Sequence, residues 1–156
     1  GGNMELIVQK AVELGVSKIQ PLITDHTVAR PDSAEKKGRK WQRIALEACK
    51  QCGQNHLPEI ATPEPFDTWL KNLPSGGTRL IAALDERALH LREHFGAQAP
   101  EGDVLFLVGP EGDFSKDEYD AAYKSGFQPI SFGNIVLRVE TASLYGLSII
   151  QHELSA

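Results

Sequence analysis

Cysteine occurs twice in 156 residues, methionine once and tryptophan twice. Two cysteines cannot staple a disulfide-rich secreted scaffold. No run of about 18 apolar residues exists, which excludes a membrane-spanning helix, and no basic stretch followed by an apolar segment marks a signal peptide. A cytoplasmic, reducing setting with no membrane partner is the expectation. The 14 glycines never fall as Gly-x-Gly, and no Gly-Lys-Ser/Thr follows a glycine-rich turn, so neither a Rossmann fingerprint nor a P-loop is present. No internal repeat or low-complexity segment is found. What is present, 41% hydrophobic and 24% charged residues, is ordinary for one globular domain able to build a core without disulfides or structural metal.

The net charge of −5 argues against a protein that coats nucleic acid by charge alone. The distribution is uneven. Residues 30–50 carry seven basic side chains (Arg30, Lys36, Lys37, Arg39, Lys40, Arg43, Lys50) against three acidic ones (Asp32, Glu35, Glu47). That segment reads either as a solvated helix face or as a patch that meets RNA.

Apolar periodicity places a first helix from an Asn3 cap to Gly15, on Met4, Ile7, Val8 and Ala11. A strand follows over 17–23, then a second helix opened by Asp32-x-x-Glu35 and closed at Gly53, with Trp41, Ile44, Ala45, Ala48 and Cys52 on its buried face. Extended chain over 58–65 leads to a helical turn at 66–70 and a strand over 78–84. Residues 87–95 read as helix. The apolar run 103–108 suits a strand covered on both faces. Ser115-x-x-Glu118 forms a second capping box, Gly126 closes that helix, and 127–132 is a further strand. The last helix, 141–154, is apolar on more than one side, as a helix with a subunit interface would be. The sum is an α/β domain, a mainly parallel sheet with helices on both faces.

Two short patterns invite metal or redox readings. Cys49-x-x-Cys52 lies at a helix C-terminus, where the dipole disfavours a thiolate, and no second Cys or His pair completes a zinc tetrahedron. His90-Leu91-Arg92-Glu93-His94 spells H-x-x-E-H of inverted zinc peptidases. The buried face drawn through Ala88, Leu91 and Phe95 turns both histidines to solvent, so no metal is expected. The richest stretch is C-terminal. Two glycine-bearing loops, Gly109-Pro110-Glu111-Gly112-Asp113-Phe114 and Gly133-Asn134, each follow a strand, and in a parallel sheet both sit at the carboxyl edge where open α/β folds bind ligands. A plain strand-to-helix turn is the other reading.

Gly-Pro-Glu-Gly-x-Phe-Ser-x-x-Glu over 109–118 and Val-Leu-Arg-Val-Glu-Thr-Ala over 136–142 closely resemble the ribosomal RNA small-subunit methyltransferase E family. The resemblance extends through Glu5 to Val16, Trp41-Gln42-Arg43-Ile44-Ala45, Gln51-Cys52-Gly53 and Pro58-Glu59-Ile60, and is weakest over 62–100. It implies a SPOUT-type α/β domain with a C-terminal trefoil knot, an exception to the rule that chains do not thread loops. It further implies S-adenosylmethionine as cofactor, methylation of N3 of a uridine in small-subunit ribosomal RNA, and a homodimer through the knot helices. The family carries an N-terminal PUA-like RNA-binding domain that this sequence does not contain, so the opening Gly1-Gly2-Asn3-Met4 is expected to be that of a separated catalytic domain covering 1–156.

On that resemblance the cofactor would meet Leu84, Val108, Gly109, Pro110, Gly112, Phe132, Gly133, Asn134, Val136 and Leu137. Arg138 would stabilise negative charge on the uracil, since a guanidinium stays protonated. Glu111 and Glu140 are the candidates for the general base, Glu140 having a structural alternative at a helix start. Arg30, Lys36, Lys37, Arg39, Lys40 and Arg43 would face RNA. The sequence departs from the family at Asp113, where a second glycine is usual, at Asn134, where a cation is common, and at Gln54 and His56, where arginines are frequent. The other classes left open are a related knotted methyltransferase acting on another RNA position, a non-catalytic RNA-binding module and the zinc peptidase.

Overall fold

The computed structural model describes residues 2–27, 34–133 and 136–155. Arg30, Asp32 and Asn134 lie outside the described residues.

The chain begins with α1 (Gly2–Glu13), so Asn3 falls inside the first turn and not at its cap. The expected strand over 17–23 is two short ones, β1 (Lys18–Ile19) and β2 (Leu22–Ile23), separated by Gln20 and Pro21. Proline removes a ladder donor and breaks the run. After α2 (Ala34–Cys52) come β3 (Glu59–Ile60) and β4 (Glu64–Pro65), which pair in parallel with β1 and β2 respectively. On α2 the buried face is Trp41, Ala45, Ala48 and Cys49, packed with Val8 and Val12 of α1 and with Ile60. Cys52, expected on that face, is exposed at the last helical position, and Cys49 takes the buried place.

The remainder forms α3 (Phe66–Lys71), β5 (Thr78–Ala82), β6 (Leu89–His90), α4 (Leu91–Ala97), β7 (Val104–Leu107), α5 (Lys116–Lys124), β8 (Gln128–Ser131) and α6 (Val139–Leu154). Four of these strands make a parallel sheet in the order β6-β8-β5-β7. Side chains alternate across a strand, and the core divides accordingly. Ile81 and Leu107 join Phe66 of α3, Phe114, Ala122 of α5 and Phe127 on one face. Leu80 and Ile130 join Leu91 and Phe95 of α4 and Ile150 of α6 on the other, with Phe106 packed alongside. The sheet is therefore covered on both faces, as the continuous apolar strands require.

The histidine pattern resolves differently from its expectation. The helix starts at Leu91 and not near Arg87, and His90 precedes it as the cap, its Nδ1 accepting the Arg92 N–H at 3.2 Å. Leu91, His94 and Phe95 then share the buried side, so His94 is inside, stacked edge-on against Phe95 at 5.2 Å, and burial pushes its pKa down. The two imidazoles are not neighbours on one exposed helix face. The helix expected over 87–95 runs on through Gly96 to Ala97.

Helix α6 meets the sheet at a glycine. A Cβ on Gly146 would stand 2.4 Å from the Phe106 ring, which itself lies edge-on to Phe132 at 6.3 Å. Only a residue without a side chain lets the helix backbone approach that ring, and the cost to helix propensity is about 1 kcal/mol.

Candidate active site

Because β5 lies between β7 and β8 with all three parallel, the loops leaving their carboxyl ends converge. They enclose a cleft of about 440 Å³, within the usual range for a small-molecule site. Ala83 and Leu84 come from the loop after β5. Val108, Gly109, Pro110, Glu111 and Asp113 come from the loop after β7, and Phe132, Gly133, Val136, Leu137 and Arg138 from the loop after β8. The start of α6 contributes Val139 and Ala142, and α5 contributes Tyr119.

The cleft is apolar in a particular way. Leu84 is 75% exposed and Val136 74%, more than any other large apolar side chain among the described residues, and both line this one cavity. Exposed leucine and valine lose little by being there, but two of them over one concavity form a surface that a flat apolar ligand group would cover. The polar groups are few. Arg138 is exposed at the position just before α6, and its guanidinium has no ion-pair partner among the described residues. Glu111 is exposed on the opposite loop.

Asp113 is the one non-glycine residue with positive φ among the described residues, at 65°. It occupies the place where the resemblance leads one to expect glycine, and the backbone keeps the left-handed shape that glycine adopts freely and Asp tolerates. Local bonds hold it there. Its N–H donates to the Pro110 carbonyl at 2.8 Å, and its Oδ1 accepts from the Phe114 N–H at 2.8 Å and from the Tyr119 hydroxyl. Burial, followed by the Asp113 carboxylate, pushes the Tyr119 phenol well above its ordinary range. Tyr119 faces the cleft because α5 starts where it does: Ser115 Oγ accepts the Glu118 N–H and Glu118 Oε1 accepts the Ser115 N–H, the capping box expected from the sequence.

A second polar group borders the loop after β5. Asp85 accepts from the Arg87 side chain, the Arg87 backbone N–H and the Tyr123 hydroxyl, and these bonds hold its carboxyl well below the usual range. Burial, assisted by the bond to Asp85, pushes Tyr123 up to about 12. Arg87 lies 4.8 Å from the centre of the Tyr123 ring. The triad fixes the loop that carries Leu84.

Of the residues assigned to cofactor binding from the sequence, Leu84, Val108, Gly109, Pro110, Phe132, Gly133, Val136 and Leu137 stand around the cleft. Gly112 does not line it: a Cβ there would come within 3.0 Å of His26 Cβ, behind the loop. Gly109 is on the wall, but its absent side chain points at the Phe114 ring, 3.0 Å away, and not into the cavity. Glu111 and Arg138 border the cleft, whereas Glu140 does not. Glu140 sits in the first turn of α6 with Oε2 buried and no hydrogen-bond partner among the described residues. Asp113, Tyr119 and Ala142 on the cleft, and His26 behind it, were not singled out as site residues by sequence. Strand and helix periodicity says which face is buried but not which side chains a loop turns inward.

The basic residues of α2 stand elsewhere, and none lines this cleft. Lys36, Arg39, Lys40 and Arg43 are exposed and Lys37 half-buried. Lys40 is paired with Glu5 at 2.5 Å, and Arg39 approaches Glu35 at 4.0 Å. Arg39 and Arg43 flank a shallow groove with Leu46, Leu57 and Pro58. No helix among the described residues is long and apolar enough to cross a membrane.

Comparison with known proteins places this arrangement. The family model described as RNA methyltransferase domain matches residues 1–151. A crystal structure of a ribosomal RNA small subunit methyltransferase E from Neisseria gonorrhoeae, bound to S-adenosyl methionine, superposes with a TM-score of 0.88 at 36% identity, over 97% of this chain and 61% of that one. A methyltransferase from Legionella pneumophila in complex with the same cofactor gives 0.86 at 35%, over 97% and 62%. A Synechocystis relative named ribosomal RNA small subunit methyltransferase E is 31% identical over 95% of this chain and 48% of its own length. A Buchnera aphidicola relative of the same name is 30% identical over 96% and 58%. The chain thus spans between about half and three-fifths of the length of these curated relatives. It belongs to the RNA methyltransferase domain family, among relatives named ribosomal RNA small subunit methyltransferase E.

Proposed function

We propose that the cleft binds S-adenosylmethionine and that the chain methylates N3 of a uridine in small-subunit ribosomal RNA. The observation that carries the reading is the pair of exposed apolar side chains, Leu84 and Val136, over a cleft built from the carboxyl ends of three parallel strands. This fits the donor: an adenine needs apolar cover on its faces and close backbone at its edge, and the loops at Val108–Gly109 and Phe132–Gly133 offer both. When bound, the donor supplies a methyl group already activated by its sulfonium, so no metal is needed for that step.

The chain's own residues then position and balance charge. Loss of the N3 proton puts negative charge on the uracil oxygens, and Arg138, exposed beside the cleft and in no ion pair among the described residues, is the cation to hold it. Glu111 lines the cleft and Glu140 does not, so of those two carboxylates Glu111 is the better candidate to take the proton; Asp113, also on the cleft, already accepts from the Phe114 N–H and the Tyr119 hydroxyl. Glu140 is assigned to the start of α6, where a negative charge is favoured by the helix dipole. The reading includes the threaded C-terminal segment that the family resemblance implies, and a homodimer through α6, whose Tyr145 and Leu154 are exposed. Exposed cations of α2 would meet the RNA backbone.

The test is incubation of the chain with unmodified small-subunit RNA and methyl-labelled S-adenosylmethionine, followed by nucleoside mass spectrometry. Label in 3-methyluridine is the expected result. Label in another nucleoside would reassign the position, and binding of RNA without any transfer would make the chain a non-catalytic module.

A further inference from the structure

Behind the cleft, the turn over 24–27 touches the 109–113 loop from the side opposite its ligand face. His26 Nδ1 lies 2.9 Å from the Gly112 carbonyl and 3.0 Å from the Asp113 carbonyl. Both partners are acceptors only, so Nδ1 carries the hydrogen and donates to the pair. Two consecutive carbonyls can aim at one donor only if the backbone bends sharply between them, and the bend is present: Asp113 has φ 65°. The approach is close enough to leave little room for a side chain at 112: a Cβ on Gly112 would lie 3.0 Å from His26 Cβ and 3.5 Å from the His26 carbonyl oxygen.

The turn that carries His26 is itself fastened. Thr27 N–H donates to the Thr24 carbonyl at 3.2 Å, and the two threonine hydroxyls meet at 2.6 Å. Asp25 N–H donates to Glu118 Oε2 at 3.1 Å, and Asp25 Oδ2 accepts from Ser115 Oγ at 2.7 Å. One end of the clasp therefore holds the loop and the other holds the first turn of α5. Gly112 meets the clasp, while Gly109, Pro110, Glu111 and Asp113 line the cleft.

We propose that His26 is a positioning residue for the donor site: its two hydrogen bonds hold residues 109–113 in the shape the donor requires. The proposal rests on the reading of the cleft as the S-adenosylmethionine site. His26 is exposed, so replacing it removes the clasp without opening the core.

The experiment uses the full chain with two variants. His26→Phe keeps a ring and removes the donor; His26→Asn places an amide N–H near the position of Nδ1. Amide hydrogen exchange over residues 111–114 and calorimetric affinity for S-adenosylhomocysteine are measured for each, with the thermal midpoint as a control. In His26→Phe, exchange is expected to accelerate about fivefold or more. Affinity in that variant should fall about tenfold for the loss of the paired bond, at an unchanged midpoint. His26→Asn should return both to within about twofold of wild type. Unchanged exchange in His26→Phe overturns the proposal, and so does a His26→Asn variant that behaves like His26→Phe. If wild type shows no saturable binding, the assignment of the cleft is what fails. The exchange data alone then decide the clasp, acceleration supporting it and unchanged exchange overturning it.

Discussion

Leu84 and Val136 leave different strands, β5 and β8, and stand about three-quarters exposed over the same cleft. Neither contributes much to the folded core, so their place is explained by what covers them. Exchanging both for alanine should therefore weaken binding of S-adenosylhomocysteine by about tenfold or more, since covering such side chains is worth about 1 to 2 kcal/mol each. The thermal midpoint should hardly move. Calorimetry and a melting curve on the double variant check the two halves of this statement.

Arg138 is the cation that lines the cleft, in no ion pair among the described residues. Arg138→Ala is expected to lower the rate of methyl transfer by about a hundredfold or more, the usual scale for removing a group that meets developing charge. Affinity for S-adenosylhomocysteine should stay within about twofold, because the charge develops on the other reactant. Loss of affinity in proportion to rate would move Arg138 from the substrate to the cofactor. Glu111→Gln tested beside Glu140→Gln separates the two carboxylates. The first should slow transfer with the fold intact, and the second should act through stability.

How far the site could be read beforehand depended on what each residue does. The strands at 78–82, 104–107 and 128–131 were legible because continuous apolar runs between turn residues leave little choice, and the loops after them because glycine and proline punctuate the chain. Side-chain direction within those loops was not. Gly109 lines the cleft as the sequence leads one to expect, yet a side chain there would point at Phe114 and not into the cavity. The sequence pattern turns His94 to solvent, yet starting α4 at Leu91 brings it inside. His26, 86 residues from the Gly112 carbonyl it meets, gave no local signal, because nothing in a turn of polar residues shows what it will touch across the fold. Pro21 did carry a signal, the break between β1 and β2, that the apolar run around it masked.

Gly146 makes a prediction about stability alone. A methyl group there would stand 2.4 Å from the Phe106 ring. The propensity gain of about 1 kcal/mol from Gly→Ala in a helix is opposed by an overpacking cost of about 1 to 3 kcal/mol. Gly146→Ala should thus be neutral to destabilising, and Gly146→Val clearly destabilising, in urea unfolding followed by circular dichroism. A more stable Gly146→Ala protein would show that α6 can withdraw from Phe106 at no cost.

Tyr119 and Tyr123 give the pH dependence. Both phenols titrate above the ordinary tyrosine value in the folded protein, Tyr123 at about 12 and Tyr119 higher, chiefly through burial. A folded-state pKa raised above the unfolded value means that the stabilisation is complete below the unfolded pKa and is lost as pH rises through the folded one. Unfolding free energy should therefore decline from about pH 10 upward. Tyr119→Phe should make that decline shallower, and alkaline urea titrations of the two proteins compare the slopes.

Whether the three loops at the carboxyl edge form a donor pocket is read by a calorimetric titration of the chain with S-adenosylhomocysteine. This ligand lacks the reactive methyl and separates pocket binding from RNA recognition. Saturable binding at one site per chain is expected, abolished or strongly weakened when Leu84 and Val136 are both replaced. Absence of saturable heat from a folded chain, or binding indifferent to those two side chains, would contradict it.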